Sequence, residues 1–407
     1  MLFRSFPTPS PERCRVVDAV LVWDDALARY RFRPGHPLNP RRLELTVSLI
    51  RELGMVCDAA RPIVTPRSAT DAELLLVHSP EYVAAVKRLS APGADPAEGR
   101  AWGLGDEDTP VVPEMHAHTA AVVGATLTAA EWVMEGRARR AFAPSGGLHH
   151  AHRERASGFC IYNDLAVAIE WMRREHGARV LYIDVDAHHG DGVQSIFYDD
   201  PDVATLSFHE SGLYLFPATG YVDEMGGGDG YGYSINVPLD AETDDASLRD
   251  VFFDLAPAVA DAFQPDVIVY QSGCDAHALD PLAHLRATTG LYEAFAELVR
   301  ELADRHCGGR LVATGGGGYA VHTVVPRAWT LVWGALSGRP APERVPEEWL
   351  EAVRRESGEA VPELLRDPPA AFPPSAREAE IHANNARTVQ EVKRRVLPLL
   401  TGWGLAF

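Results

Sequence analysis

Apolar residues recur along this chain with two different periods. Val16–Trp23 is a short apolar run broken only by Asp18 and reads as a strand. Arg41–Leu53 carries Leu43, Val47 and Ile50 on one helical face. Ser79–Leu89 opens with Ser-Pro, a pair that caps and starts helices, because the serine oxygen accepts an amide proton and proline needs none. Ala91–Asp108 is rich in Gly, Pro and acid and predicts a loop. His116–Gly136 predicts a long Ala-rich helix.

From there the two patterns alternate. Strands are predicted at Ala138–Ala143, Arg179–Asp184, Val203–Phe208, Asp266–Gln271 and Arg310–Thr314. Helices are predicted at Asn163–Glu175, Gly192–Tyr198, Gly290–His306 and Val321–Ser337. Short apolar strands between helical stretches imply βαβ units and a parallel sheet, hence an α/β fold. Beyond about residue 340 the composition shifts to Pro, Glu and Arg. Two amphipathic patterns follow there, Glu347–Ser357 and Arg377–Leu400. We therefore expect a main domain over 1–340, with 341–407 as a helical extension packed on it.

Charge narrows the function. The 407 residues carry 38 basic and 57 acidic side chains, a net charge of −19. No basic cluster suits a phosphate backbone, so nucleic acid is not an expected partner. The longest apolar stretch, Thr119–Ala130, is too short to span a bilayer, and no membrane partner is expected. The N-terminal residues lack the pattern of a signal peptide. Five widely spaced cysteines (14, 57, 160, 274 and 307) form no CxxC, which argues against a disulfide framework or a thiolate metal site. A cytoplasmic location is the expectation.

Five of the strands run into polar or Gly-rich sequence at their C-terminal ends: PSGGLHH (144–150), DVDAHHGDG (184–192), SFHE (207–210), QSGCDAH (271–277) and TGGGGY (314–319). In a parallel sheet those ends share one edge, where α/β folds place ligands. Asp186 and His188 are two apart in an extended segment and point to one side. With Asp275 they make a two-carboxylate, one-imidazole set suited to Zn²⁺ or Fe²⁺ with a position left open. His149 and His150 form a tandem pair, and Asp184 and Asp191 are acids available to orient them. Asp184 is equally readable as a buried strand-end group. Tyr319, after four glycines, is either a core tyrosine or a phenol donor to a developing oxyanion. Phe159, Phe216 and Leu282 are apolar residues near these motifs, readable as core or as channel walls.

In combination these segments resemble the zinc-dependent histone deacetylase family, class I-like, and within it the bacterial acetoin utilization group. The resemblance spans most of residues 15–340. It implies an arginase/deacetylase-like three-layer α/β fold, with a central parallel sheet of about eight strands and helices on both faces. It implies Asp186, His188 and Asp275 as metal ligands, and His149 and His150 paired with Asp184 and Asp191. It implies Tyr319 as the carbonyl-polarising group. Gly158, Phe159, Phe216 and Leu282 match an acyl-lysine tunnel, Asp108 a rim acid and Arg42 an inner-cavity arginine. The family also binds structural K⁺. The nearer site would use Asp184, Asp186, His188, Ser207 and Phe208. The farther would use backbone oxygens of Phe197, Asp200, Val203 and Tyr233. Departures lie at the rim: Leu148 and Ala187 replace the Trp and Leu of many eukaryotic members.

The implied activity is hydrolysis of N-ε-acetyl-lysine in an acetylated protein or peptide, with acetylated metabolic enzymes as the implied substrates. Three other readings differ in class. Acetylated small amines would be hydrolysed by the same chemistry. An acetyl-lysine binding module would have lost a ligand or Tyr319, and neither is lost. A ureohydrolase would need further Asp and His ligands for a second metal, and its GGDHS-like and DxDxxDP-like segments are missing.

Overall fold

The computed structural model describes residues 16–56, 60–368 and 371–401; Cys14, Cys57 and the end of the extension, 402–407, lie outside them. In chain order the described elements begin with β1 (Val17–Val22), α1 (Arg41–Glu52), β2 (Ile63–Val64), α2 (Asp71–Leu74), α3 (Pro80–Leu89) and α4 (Met115–Met134). The βα core follows: β3 (Ala138–Ala143), α5 (Asp164–His176), β4 (Val180–Asp184), α6 (Asp191–Ile196), β5 (Val203–Glu210) and β6 (Ser234–Leu239). Next come α7 (Asp245–Phe263), β7 (Val267–Gln271), α8 (Thr289–His306), β8 (Leu311–Thr314) and α9 (Val325–Ser337). The extension holds α10 (Glu347–Ser357) and α11 (Glu378–Leu400).

All eight strands form one sheet in the order β2-β1-β3-β8-β7-β4-β5-β6, and every pairing is parallel. Strands β4, β5, β7 and β8 are buried along their whole length. That is why β4, β7 and β8 are apolar up to their last residue: helices cover both faces of a parallel sheet. Helix α4 packs on β3 and against α5, while α9 packs on α1 and α8.

The sheet order decides where the site sits. The five strands with unusual ends, β3, β8, β7, β4 and β5, are consecutive neighbours. Their register aligns Ala143, Thr314, Gln271, Asp184 and Ser207 in one row across the sheet. Every polar segment therefore leaves the sheet from the same rung.

Several elements differ from those expected. Strand β6 and helix α7 have no predicted counterpart, and each contains a proline, Pro238 and Pro257. Proline removes a backbone donor and weakens either pattern. It is accommodated in β6 because β6 is the sheet edge. The loop 91–108 contains a 3₁₀ segment, Pro96–Trp102, whose first turn is capped by Asp95. Helix α9 begins at Val325, with Pro326 in its first turn, later than the predicted Val321.

The extension packs on the body at several points. Helix α11 lies against α7 and β6. The buried Asn385 carboxamide accepts from Asp240 N–H at 3.1 Å and donates to Thr243 Oγ1 and Ser247 Oγ, both at 2.9 Å. From α10, Trp349 Nε1 donates to Ser48 Oγ at 2.9 Å. Among the described residues no helix is long and apolar enough to cross a membrane.

Candidate active site

The strand-end segments converge on three side chains. A ligand atom from each of Asp186, His188 and Asp275 lies within 4.8 Å of the others, and all three residues are buried. His188 Nδ1 stands 3.2 Å from Asp186 Oδ1 and 2.9 Å from Asp275 Oδ2. The outer oxygens are already held. Asp186 Oδ2 accepts from Gln271 Nε2 and from Gly317 N–H, both at 2.7 Å. Asp275 Oδ1 accepts from Ala187 N–H at 2.7 Å. One nitrogen and two oxygens are left pointing inward.

This donor set fits a divalent cation on three observations. Its chemistry is the N,O,O set that Zn²⁺ and Fe²⁺ accept. Two carboxylates buried side by side are costly without a compensating positive charge; burial and the Asp186 charge push Asp275 up to about 7. The glycine run also leaves the cluster its room: a Cβ on Gly317 would stand 2.0 Å from Asp275 Oδ2.

The tandem histidines reach the cluster from the loop after β3. His149 Nδ1 is 2.8 Å from Asp184 Oδ2, and His150 Nδ1 is 2.7 Å from Asp191 Oδ1. The two Nε2 atoms are 3.0 Å apart. A bond between two imidazole nitrogens needs one donor and one acceptor. Burial works against charge on His149, but Asp184 and Asp186 outweigh it and raise it to about 9. Burial and the His149 charge lower His150 to about 4. Across that contact His149 is thus the donor and His150 Nε2 the acceptor.

A cavity of about 220 Å³ leads inward to these groups, lined by Asp108, His150, Gly158, Phe159, His188, Leu215, Phe216, Leu282 and Tyr319. Every residue expected in a tunnel is in that lining. The Gly158 backbone has φ +50, and a Cβ there would stand 2.4 Å from His150 Cδ2, so no other residue fits. The Tyr319 ring meets Phe159 edge-on at 5.7 Å. A smaller space of about 20 Å³ lies deeper, lined in part by Arg42, Gly316 and Gly317. There Arg42 Nη1 donates to Gly318 O at 2.8 Å.

The residues expected around K⁺ fall into two groups. Asp184 and Ser207 are paired across β4 and β5, with Phe208 next in β5. Phe197, Asp200 and Val203 run from the C-cap of α6 to the first residue of β5. Tyr233 immediately precedes β6 and accepts from Thr205 N–H at 2.9 Å.

Four supporting residues escape the sequence reading. Gln271 ends the otherwise apolar strand VIVYQ, and that lone polar residue is a usable signal. Asp164, at the start of α5, accepts from Gly147 N–H and Leu148 N–H at 3.0 and 2.8 Å and so fixes the histidine loop. Asp280 accepts from Tyr319 N–H at 2.7 Å and from Leu282 N–H at 3.0 Å, tying two tunnel walls together. Leu215 also lines the tunnel. Nothing local marks the last three, whose partners are distant in sequence or belong to an unremarkable loop.

Residues 36–336 match the histone deacetylase domain. The acetoin utilization protein AcuC of Bacillus subtilis (strain 168) is 48% identical over 92% of this chain and 96% of its own. AcuC of Staphylococcus aureus (strain MSSA476) is 41% identical over 90% of this chain and 94% of its own. Among solved structures, an HDAC homolog from Aquifex aeolicus superposes with a TM-score of 0.82 at 32% identity, covering 92% of this chain and all of that one.

Proposed function

This chain belongs to the histone deacetylase family and is a deacetylase; on that premise we propose that it hydrolyses N-ε-acetyl-lysine in proteins or peptides to lysine and acetate. The observation that carries this reading is the tunnel of about 220 Å³ whose inner end presents His150, His188 and Tyr319 together. A lysine stem is long, apolar and unbranched, and a channel between Phe159 and Phe216 suits it.

The residues divide the work as follows. Asp108 at the rim holds the substrate backbone. Phe159 and Phe216 exclude water from the stem. Asp186, His188 and Asp275 hold a divalent metal, Zn²⁺ or Fe²⁺, which when bound supplies Lewis-acid polarisation and lowers the pKa of water toward ~7. With the attacking water in place of the His149 contact, His150 Nε2 takes its proton, while Asp191 fixes the His150 tautomer through Nδ1–H. Water oxygen joins the carbonyl carbon, the C–N bond breaks, and His150 returns the proton to the leaving amine. His149, kept charged by Asp184, stabilises negative charge beside the reacting carbon. Tyr319 donates its phenol proton to the carbonyl oxygen as charge develops there.

Three further readings belong with this one. The histone deacetylase match over 36–336 supports a catalytic domain over 1–340 with 341–407 as its extension. The likeness to acetoin utilization proteins supports acetylated metabolic enzymes as substrates and a cytoplasmic setting. The strand-end oxygens near Asp184 and Ser207, and those of Phe197, Asp200, Val203 and Tyr233, are assigned to structural K⁺.

The test is acetate release from an acetyl-lysine peptide, by metal-stripped protein and after one equivalent of Zn²⁺ or Fe²⁺. Metal-dependent release that falls ~10²–10³-fold in Tyr319→Phe is the expected result. Hydrolysis of acetylated small amines without peptide hydrolysis would replace the substrate reading. Metal binding without any hydrolysis would favour a binding role.

A further inference from the structure

Beside the tunnel lies a second recess of about 560 Å³, lined by residues 31–36 and 38–40. It adjoins the tunnel directly. His36 lines it, and the His36 ring meets the tunnel residue Phe159 edge-on at 4.7 Å. The other face of His36 rests on Phe32 at 4.7 Å, and its Nε2 lies 3.1 Å from the backbone oxygen of the tunnel residue Asp108. A chain lying across the tunnel mouth therefore passes over this recess within a residue or a few of the inserted lysine.

Its charge runs against that of the molecule. The protein carries 57 acidic residues against 38 basic ones, and several exposed arginines are held by acids, as Arg67 is by Glu73 and Glu131. Arg31 and Arg33 both line the recess and are exposed. Neither has a carboxylate partner among the described residues. The segment between them and α1 is stiffened by Pro34, Pro37 and Pro40, and His36 N–H closes a turn onto Arg33 O at 3.1 Å. Two unpaired guanidiniums held on a stiff loop beside a substrate channel form a receptor for a carboxylate.

We infer that this recess is a specificity subsite that takes an acidic side chain flanking the acetyl-lysine. The inference rests on the reading of the tunnel as an acetyl-lysine channel and adds the class of peptide preferred. The net negative field of the whole chain would favour basic segments at long range. At contact distance the local arginines decide, because exposed charges beyond ~10 Å are screened at ordinary salt.

The experiment uses the full chain loaded with Zn²⁺. Acetyl-lysine peptides carry Glu, Gln or Lys in turn at each of the three positions on either side. kcat/KM is expressed relative to end-blocked acetyl-lysine on the same protein, so that a general loss of folded enzyme cancels. At one or more positions Glu should exceed Gln by about three- to tenfold, the range for one or two exposed ion pairs. That preference should shrink in 0.5 M NaCl, vanish in Arg31→Gln/Arg33→Gln and turn toward Lys in Arg31→Glu/Arg33→Glu. Equal rates for Glu and Gln at every position, or a Glu preference unchanged in both double variants, would overturn the inference and leave the deacetylase reading standing. Hydrolysis of blocked acetyl-lysine with no peptide cleaved would overturn the peptide reading and this subsite with it.

Discussion

His277 Nε2 lies 2.9 Å from Oδ2 of Asp367, joining the loop that carries Asp275 to the segment between α10 and α11. The same oxygen accepts from Thr289 N–H and Thr289 Oγ1, both at 2.9 Å. The other oxygen accepts from Arg327 Nη1 at 2.9 Å. His277 and Arg327 are fully buried, and the Asp367 side chain is 7% exposed. A carboxylate from the extension thus neutralises the buried Arg327 guanidinium and also holds His277, two residues after Asp275.

Asp367→Asn should destabilise the protein by about 3 kcal/mol, because it leaves the buried Arg327 charge uncompensated. Despite burial, the His277 bond and the Arg327 charge hold the Asp367 carboxyl well below the usual carboxylate range. Its contribution is therefore full above the unfolded value near ~4 and is lost as pH falls below it. Urea unfolding at pH 7 and pH 3 checks both points: the gap between wild type and variant should narrow at the lower pH.

Asp280→Ala should lower kcat by about 10–100-fold with little change in bound metal. Its carboxylate holds Tyr319 N–H and Leu282 N–H but touches none of the three donors' outer oxygens. Loss of that anchor lets the phenol drift, and a shift of ~1 Å is enough for such a loss. Steady-state kinetics beside metal quantitation separates this from a site that has simply lost its ion.

Gly317→Ala should instead remove the metal. The added Cβ would stand 2.0 Å from Asp275 Oδ2 and 2.8 Å from Asp186 Oδ2. Both carboxylates must turn away from the shared position, and affinity for Zn²⁺ should fall at least ~10-fold in a competition titration. A variant binding Zn²⁺ as tightly as wild type would show that Asp275 Oδ2 is not a ligand.

Metal removal should change how stability responds to pH. In the metal-free protein His149 is raised to about 9, against burial, by Asp184 and Asp186, and His188 is raised by Asp186 and Asp275. Groups raised on folding contribute fully below their unfolded value of ~6.5, and lose that contribution as pH rises through the folded value. The urea midpoint of stripped protein should therefore decline from pH 6.5 to 8.5. With Zn²⁺ bound the decline should be much shallower, since a cation replaces the proton on His188 and cancels the Asp186 charge.

Much of the site is legible in the sequence because its pieces are local. Asp186 and His188 share a side through the two-residue repeat of extended chain, His149 and His150 are adjacent, and the glycines before Tyr319 mark a place with no room for side chains. Strands β4, β7 and β8 are recognisable because full burial makes them nearly continuous apolar runs. Strand β6 and helix α7 are not, because Pro238 and Pro257 break the patterns that would reveal them. What only the tertiary structure decided is adjacency. Strand order puts β7 and β8 between β3 and β4, and that interleaving brings Asp275 and Gly317 to Asp186. The partners of Asp280, of Asp164 and of the Asp367–His277 pair are likewise set by how distant segments pack. A hydrogen bond between residues 90 apart leaves no period or spacing in one sequence.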